Sequence, residues 1–124
     1  RAACYDGLAR FKNDSALCSL ISVDYVRADC VGSLGTVEDC DQISENEIIE
    51  DSDYSVRDNC IFTLINKVQD VTICSHTTTT SGFNFCIDLL GRLTGNKEVC
   101  EEIKDKELNE LCIEQANLVA VNNG

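Results

Sequence analysis

The sequence has no proline, methionine or tryptophan, and its only histidine is His76. Basic residues are also scarce: 10 stand against 22 acidic residues, which gives a formal net charge of −12. This charge argues against nucleic acid and anionic membrane surfaces as partners, because both are negatively charged as well. No apolar run approaches the roughly 18 residues that cross a membrane, so we expect no membrane-spanning segment. Without methionine, residue 1 is not a translation start, and we expect a removed leader or a longer parent chain.

Cysteine is abundant and regularly spaced. The nine cysteines are Cys4, Cys18, Cys30, Cys40, Cys60, Cys74, Cys86, Cys100 and Cys112. Their successive separations are 14, 12, 10, 20, 14, 12, 14 and 12 residues, so outside the middle pair they repeat with a period of 26. The middle pair spans 30 residues, one period plus one helical turn. A fixed period of this length indicates a repeat architecture.

Other residue types follow the same period. An arginine precedes the first cysteine of three units by three positions, at Arg1, Arg27 and Arg57. Four positions after that cysteine stand Leu8, Leu34, Leu64, Leu90 and Ala116. Three positions after the second cysteine stand Ile21, Ile43 and Ile103, with Thr77 in that place after Cys74. We therefore divide a single domain into units at approximately 1–26, 27–56, 57–82, 83–108 and 109–124.

Within each unit the apolar residues recur at spacings of three and four, which predicts amphipathic helices. Cys60, Ile61, Leu64, Ile65 and Val68 form one such stripe. A polar break follows each stripe, and Asp14 or Ser15 in the first unit and Asn96 in the fourth are suited to cap a second, shorter helix. The sequence thus predicts an all-α, disulfide-stapled helical repeat array, an α-solenoid-like stack of helix-turn-helix units of about 26 residues.

The second unit departs from the period. It lacks four residues between Cys30 and Cys40 and gains about eight between Cys40 and Cys60. A loss of four residues is about one helical turn, so it shortens a helix without rotating its apolar face. The gain predicts a loop or an extra acidic helix. On this interpretation, deleting residues 48–55 leaves the fold intact.

All nine cysteines are disulfide candidates. Structural zinc is disfavoured because its ligands are closely spaced, whereas no two of these cysteines are closer than ten residues. Reduced core thiols are the other alternative, but packing alone does not require sulfur at nine periodic positions. A disulfide framework places the protein in an oxidising compartment, secreted, extracellular or at the cell surface.

Two disulfide pairings are compatible with the spacing. Pairing within units joins 4–18, 30–40, 60–74 and 86–100 and leaves Cys112 unpaired. Pairing across units joins 18–30, 40–60, 74–86 and 100–112 and leaves Cys4 unpaired. Helical rise slightly favours pairing across units, because the heights of the two cysteines then differ less. The unpaired cysteine could also cross-link two chains.

The first unit resembles a class of uncharacterised prokaryotic, often archaeal, secreted cysteine-repeat α-helical proteins. The matching residues are Arg1, Cys4, Tyr5, Leu8, Ala9, Asn13, Asp14, Leu17, Cys18 and Ile21. Later units match by cysteine and leucine only. The resemblance implies export and a helical-repeat fold, and it implies no activity and no catalytic residues.

Acidic residues concentrate between positions 38 and 58, where there are nine, and between 98 and 114, where there are seven. The segment Asp51-Ser52-Asp53 is similar to the start of a calcium-binding loop. However, Val56 stands where that loop needs glycine and Phe62 where it needs a bidentate glutamate. We interpret the acidic stretches as solvated faces, and weak divalent-cation binding is the alternative.

Nucleophilic chemistry has one candidate pair, Cys74 with His76, but Cys74 belongs to the periodic set and is expected to be bridged. Asn13-Asp14-Ser15 matches a glycosylation acceptor, although the same residues suit a helix cap, which we favour. We therefore expect no catalytic, cofactor-binding or metal-binding residues, and no enzyme. A hydrolase that uses acidic residues is the least favoured hypothesis.

These observations favour a secreted or cell-surface, non-enzymatic structural or binding protein without a cofactor. Its partner would be a protein, either further copies of itself in an extracellular assembly or another surface protein. The alternative function is a carrier of a small, lipid-like ligand, held in a cavity between helices lined by Phe62, Phe83 and Phe85.

Overall fold

A computed structural model describes the backbone of residues 2–123 and the side chains of residues 4–121 except residue 6. The α-helices are α1 (Ala2–Lys12), α2 (Asp24–Leu34), α3 (Val37–Asp41), α4 (Val56–Ile65), α5 (Thr80–Thr94) and α6 (Lys106–Asn123). The 3₁₀ helices are the first (Ser15–Leu20), the second (Val71–His76) and the third (Lys97–Glu102). Within residues 2–123 the only β-type pairing is an isolated antiparallel bridge between Ile48 and Ser55. The predicted all-α class is confirmed.

The longer helices pack in chain order, α1 on α2, α2 on α4, α4 on α5 and α5 on α6. The 3₁₀ helices fill the angles between them: the first packs on α1 and α2, the second on α4 and α5, and the third on α5 and α6. The apolar centre is formed by Ile61, Leu64 and Ile65 of α4 with Ile87 and Leu90 of α5, all essentially inaccessible to solvent. None of the helices in the described part of the chain combines the length and apolarity of a membrane span.

Helix length differs between the units. α1 and α5 continue for eight residues after Cys4 and Cys86, whereas α2 ends four residues after Cys30 and α4 ends five residues after Cys60. The helix of the second unit is short, as predicted, but α4 is almost as short although its unit has the full cysteine spacing. Gly32 lets α2 approach α4 closely, because a Cβ atom at that position would lie 2.7 Å from the Cβ of Thr63.

The three 3₁₀ helices begin with the same side-chain cap. Asp14, Asp70 and Asn96 each accept a hydrogen bond of 3.0 Å from the backbone N–H two residues further on. The caps predicted at Asp14 and Asn96 are confirmed. The Thr72 backbone N–H and then its hydroxyl donate to the Asp70 carboxylate, and these bonds hold the pKa of Asp70 below its ordinary value of 3.8.

Two of the three periodic arginines bind the chain that ends the preceding short helix, and Arg1 lies outside the described residues. Arg27 donates from Nη1 to the carbonyl oxygen of Ile21 at 3.1 Å. Arg57 donates to the Ile43 carbonyl from Nε at 2.9 Å and from Nη2 at 2.6 Å, and Nη2 also donates to the Asp41 carbonyl at 2.9 Å. The arginine and isoleucine columns of the sequence thus belong to the same contact. In it, the isoleucine side chain is buried and the arginine side chain donates to the carbonyl oxygen of that isoleucine.

Asn109 makes the equivalent contact in the last unit. It stands three positions before Cys112, and its Nδ2 donates to the Cys100 carbonyl at 2.6 Å and to the Ile103 carbonyl at 3.4 Å. The corresponding position before Cys86 is Phe83, and Thr77 replaces the isoleucine there. The arginine column and the isoleucine column are therefore both interrupted at the junction between the third and the fourth unit.

We expect Arg57→Ala to lower the free energy of unfolding by about 2 kcal/mol, because it removes three hydrogen bonds to two carbonyl oxygens. The side chain of Arg57 is 18% exposed, so water replaces these bonds poorly. Urea denaturation with the disulfides intact measures the loss. Arg92→Ala is the matched control, since Arg92 is 47% exposed and its ion pair with Asp88 one helical turn earlier should contribute under about 1 kcal/mol. Equal losses in both variants would contradict a structural role for the Arg57 contact.

The insertion in the second unit is a loop rather than a helix. Its ends are paired, since Val56 N–H donates to the Glu47 carbonyl at 2.7 Å and Ile49 N–H to the Tyr54 carbonyl at 2.9 Å. Ser55 at its end is fully buried and caps α4. Deleting residues 48–55 would remove this cap and Tyr54, so the structure argues against the expectation that the segment is dispensable.

Candidate functional site: disulfide framework and aromatic groove

Four disulfide bonds join each short helix to the α-helix that follows it. The pairs are Cys18–Cys30, Cys40–Cys60, Cys74–Cys86 and Cys100–Cys112, with Cα–Cα distances of 5.6 to 5.8 Å. This is the pairing across units, and all eight sulfur-bearing side chains are fully buried. Cys4 is free and exposed on α1. The bridges thus join the helices in four successive pairs, and α1 carries none of them.

The residues considered for nucleophilic chemistry have structural partners. Cys74 is bridged to Cys86, so it has no thiol to offer His76. The Nδ1 atom of His76 instead lies 3.0 Å from a carboxylate oxygen of Asp41, which ties the second 3₁₀ helix to the end of α3. Asn13 is exposed in a tight turn with a φ of 52°, and Asp14 beside it serves as the helix cap.

The acidic loop, residues 42–55 between α3 and α4, does not form a metal cage in the structure. Asp51 lies at the turn of the loop with a φ of 61°. Among the residues whose positions the structure describes, no three or more His, Cys, Asp or Glu side chains come together in an arrangement that could hold a metal ion. Weak cation binding by the loop has no geometric support here.

Three aromatic rings meet where the acidic loop reaches α4 and α5. The ring centroids of Phe62 and Phe85 are 4.7 Å apart, and Tyr54 lies 5.3 Å from Phe62 and 5.5 Å from Phe85. Phe62–Phe85 and Tyr54–Phe62 are edge-to-face pairs, an arrangement that stabilises beyond simple burial. Of the three phenylalanines predicted to line a cavity, Phe62 and Phe85 pack together in this cluster, and Phe83 is partly buried against the apolar core.

A groove of about 290 Å³ lies on the solvent side of this cluster. It is lined by Tyr54 and Phe85, by Leu108 and Leu111 of α6, and by four polar residues: Ser81, Asn84, Asp88 and Arg92. The groove could not be predicted from sequence periodicity, because it combines a residue of the inserted loop with residues 27 to 57 positions later in the chain. A lining of apolar side chains with a few polar groups is typical of a site that takes an aromatic or aliphatic group.

A larger groove of about 560 Å³ lies between the first two units, and seven of its ten lining residues are polar or charged. Arg27 lines it, and its guanidinium is already paired with Asp24 at 3.3 Å and Glu47 at 2.9 Å. Because these ion pairs already engage Arg27, the smaller aromatic groove is the better candidate for binding an apolar group.

One buried polar network was missed by the sequence analysis. The Asp58 carboxylate, fully buried, accepts from the backbone N–H groups of Ser55 at 3.0 Å and Thr78 at 2.6 Å, and from the Thr79 hydroxyl at 2.6 Å. Gly82 permits this approach of α5, because a Cβ there would collide with the carboxylate. The spacing Ser55-x-x-Asp58 is a capping-box pattern and could have predicted the local half of the network.

The framework and the groove define the class only coarsely: an all-helical protein, cross-linked by four disulfides, with an apolar groove at one end. No protein-family model matches the chain, and neither a curated protein nor a solved structure matches it. The function is therefore inferred from the geometry alone.

Proposed function

We propose that the protein is a non-enzymatic structural or binding protein, secreted or held at the cell surface, that works as a subunit of an extracellular assembly. In this proposal the chain is a helical repeat array of units of about 26 residues. The observation that carries it is the set of four bridges, each joining a short helix to the next α-helix. Such bonds persist in oxidising compartments, and several disulfides, with no membrane-spanning helix among the described residues, are compatible with an extracellular location.

The repeated contacts support the array. Arg27, Arg57 and Asn109 bind equivalent carbonyls, and three 3₁₀ helices share one cap geometry. Neighbouring helices are also in contact in chain order, as expected when each unit covers the apolar stripe of the next. The groups that could serve chemistry, Asp58 and His76, are engaged in structural contacts. These features favour a scaffold over an enzyme.

The proposal is tested on protein isolated natively from its source. Size-exclusion chromatography with light scattering, followed by cross-linking and mass analysis, should find the chain in a complex larger than the monomer. A monomer that also fails to bind glycans, cations and surface proteins would contradict the proposal.

The aromatic groove favours a second candidate function, transport of a small apolar ligand. In that case solvent extraction of the native protein should release a lipid-like molecule detectable by mass spectrometry. Leu111→Glu, which places a charge in the groove, should abolish its retention, while Leu20→Glu on the first 3₁₀ helix should not. An empty extract would exclude the carrier.

A further inference from the structure

The turn between α1 and the first 3₁₀ helix contains a sequence motif that the proposed function does not use. Asn13 is followed two positions later by Ser15, with Asp14 between them, and this is the acceptor motif for N-linked glycosylation. No other asparagine within residues 1–122 is followed in this way by serine or threonine. Modification at Asn13 requires that its side chain and the Ser15 hydroxyl are both available in the folded chain.

The helix cap, which competes with glycosylation for the same three residues, uses only the middle one. The Asp14 carboxylate accepts from the backbone N–H of Ala16 at 3.0 Å. The side chains of Asn13 and Ser15 make no hydrogen bond to any residue that the structure describes. The amide nitrogen of Asn13 and the hydroxyl of Ser15 are therefore both unengaged, so the cap and the acceptor motif are compatible.

The backbone of the turn is held by the end of α1. Asn13 N–H donates to the Arg10 carbonyl at 3.2 Å, and Asp14 N–H donates to the Ala9 carbonyl at 2.9 Å. With Asn13 in the left-handed conformation, at a φ of 52°, these two bonds form the Schellman motif that ends many helices. Asn13 is exposed, so the motif holds its backbone in place and leaves its side chain in solvent.

The exposure of this turn does not depend on what precedes residue 1. The turn after α4 stands at the same distance from the first cysteine of its unit, and its residues Gln69 and Asp70 are exposed although α4 packs on both α2 and α5. After α5, Gly95 repeats the left-handed conformation of Asn13, with a φ of 69°, and is partly exposed. The equivalent turns of later units thus remain accessible to solvent even where another unit precedes them.

We propose that Asn13 is the acceptor of an N-linked oligosaccharide. This inference rests on the proposed function, because the motif is modified in exported chains. The donor is an oligosaccharide joined through phosphate or pyrophosphate to a lipid. The Nδ2 atom of Asn13 forms a bond to C1 of the first sugar while the bond from C1 to the phosphate oxygen breaks. The lipid phosphate leaves with that electron pair, Nδ2 loses one proton, and nothing is oxidised or reduced.

Peptide mapping of protein isolated natively from its source tests the proposal. After reduction and alkylation, trypsin cleavage at Lys12 and Arg27 gives the peptide 13–27, in which Asn13 is the only asparagine. Where the glycan hinders cleavage at Lys12, the peptide 11–27 carries the same information. The peptide mass should exceed that of the unmodified sequence by the mass of an oligosaccharide, and electron-transfer fragmentation should place the added mass on Asn13.

Variants expressed in the same source separate the motif from the fold. Ser15→Ala should lose the glycan although it keeps the Asn13 amide and the Asp14 cap, whereas Ser15→Thr should retain it. Asn13→Gly should lose the glycan and keep the turn, because glycine suits the left-handed conformation. Ser19→Ala is the matched control, since Ser19 is exposed in the same peptide but lies outside the motif, and it should retain the glycan. Circular dichroism and non-reducing mass analysis confirm that all variants keep their helices and their disulfides.

The outcomes distinguish the glycosylation site from the proposed function. An unmodified Asn13 in protein that has its disulfides and is recovered outside the cell or at its surface would overturn the site and leave the proposed function intact. An unmodified Asn13 in protein recovered from the cytoplasm with reduced cysteines would overturn both. A glycan on Ser15 or Ser19, or a glycan on Asn13 that survives Ser15→Ala, would overturn the assignment to this motif.

Discussion

Reducing the four disulfide bonds is expected to unfold the protein at room temperature without any denaturant. The bridges close loops of 12 to 20 residues, and each such loop contributes about 3 kcal/mol in the chain-entropy model. Four of them contribute on the order of 10 kcal/mol, which equals the whole free energy of unfolding of an ordinary domain, about 5 to 15 kcal/mol. Without the disulfides, the core contains few large apolar side chains, and the repulsion between the acidic residues destabilises the fold further.

Far-UV circular dichroism during titration with a phosphine reductant measures this effect. Alkylation before reduction should label Cys4 alone, and alkylation afterwards should label all nine cysteines. Cys4→Ser is the control for the loss of a thiol as such, and it should leave helix content and Tm unchanged in the oxidised protein. A reduced and alkylated chain that still melts cooperatively would show that apolar packing alone maintains the fold.

Asp58→Ala is expected to destabilise the fold strongly. It leaves the buried N–H group of Ser55, and the half-buried N–H group of Thr78 and hydroxyl of Thr79, without their acceptor. Each buried donor left without a partner costs about 1 to 3 kcal/mol, so the total loss is about 3 kcal/mol or more. In a chain of this size, that loss lowers Tm on the order of 10 °C.

Asp39→Ala is the matched control for Asp58→Ala. Asp39 forms the same capping box with Thr36 at the start of α3, but its hydrogen bonds are exposed to water. Its loss should cost about 1 kcal/mol, the usual value for a cap. Differential scanning calorimetry on both variants separates the two contributions. Equal Tm shifts would show that Asp58 acts only as a local cap and that its bonds to residues 78 and 79 contribute little.

The features that could be predicted from the sequence are local or periodic. The spacing of apolar residues predicts helices because a helix repeats every 3.6 residues, and the caps at Asp14 and Asn96 depend on contacts within two residues. The cysteine period identified the bridged positions. The arginine and isoleucine columns were also visible, but their meaning was not, because the contact joins a side chain to a backbone carbonyl six or more residues away.

The aromatic groove and the Asp58 network could not be predicted for a related reason. Tyr54 belongs to a loop outside the repeat, and its ring reaches Phe85 only because α4 packs on α5. Thr78 and Thr79 read as a polar spacer in the sequence, and it is the close packing at Gly82 that brings them to a buried carboxylate. Both features depend on which helices are neighbours.

The sequence by itself determined that the chain is helical, that nine cysteines are available for bridges, and where two of the short helices begin. These properties follow from the spacing of residues that are near each other in the sequence. The tertiary structure decided which cysteines pair and which apolar residues are covered. Leu8 and Leu64 occupy the same position in their units, yet one is exposed and the other is buried. The difference arises because burial depends on the presence of a neighbouring helix, and only the packed chain specifies which faces have one.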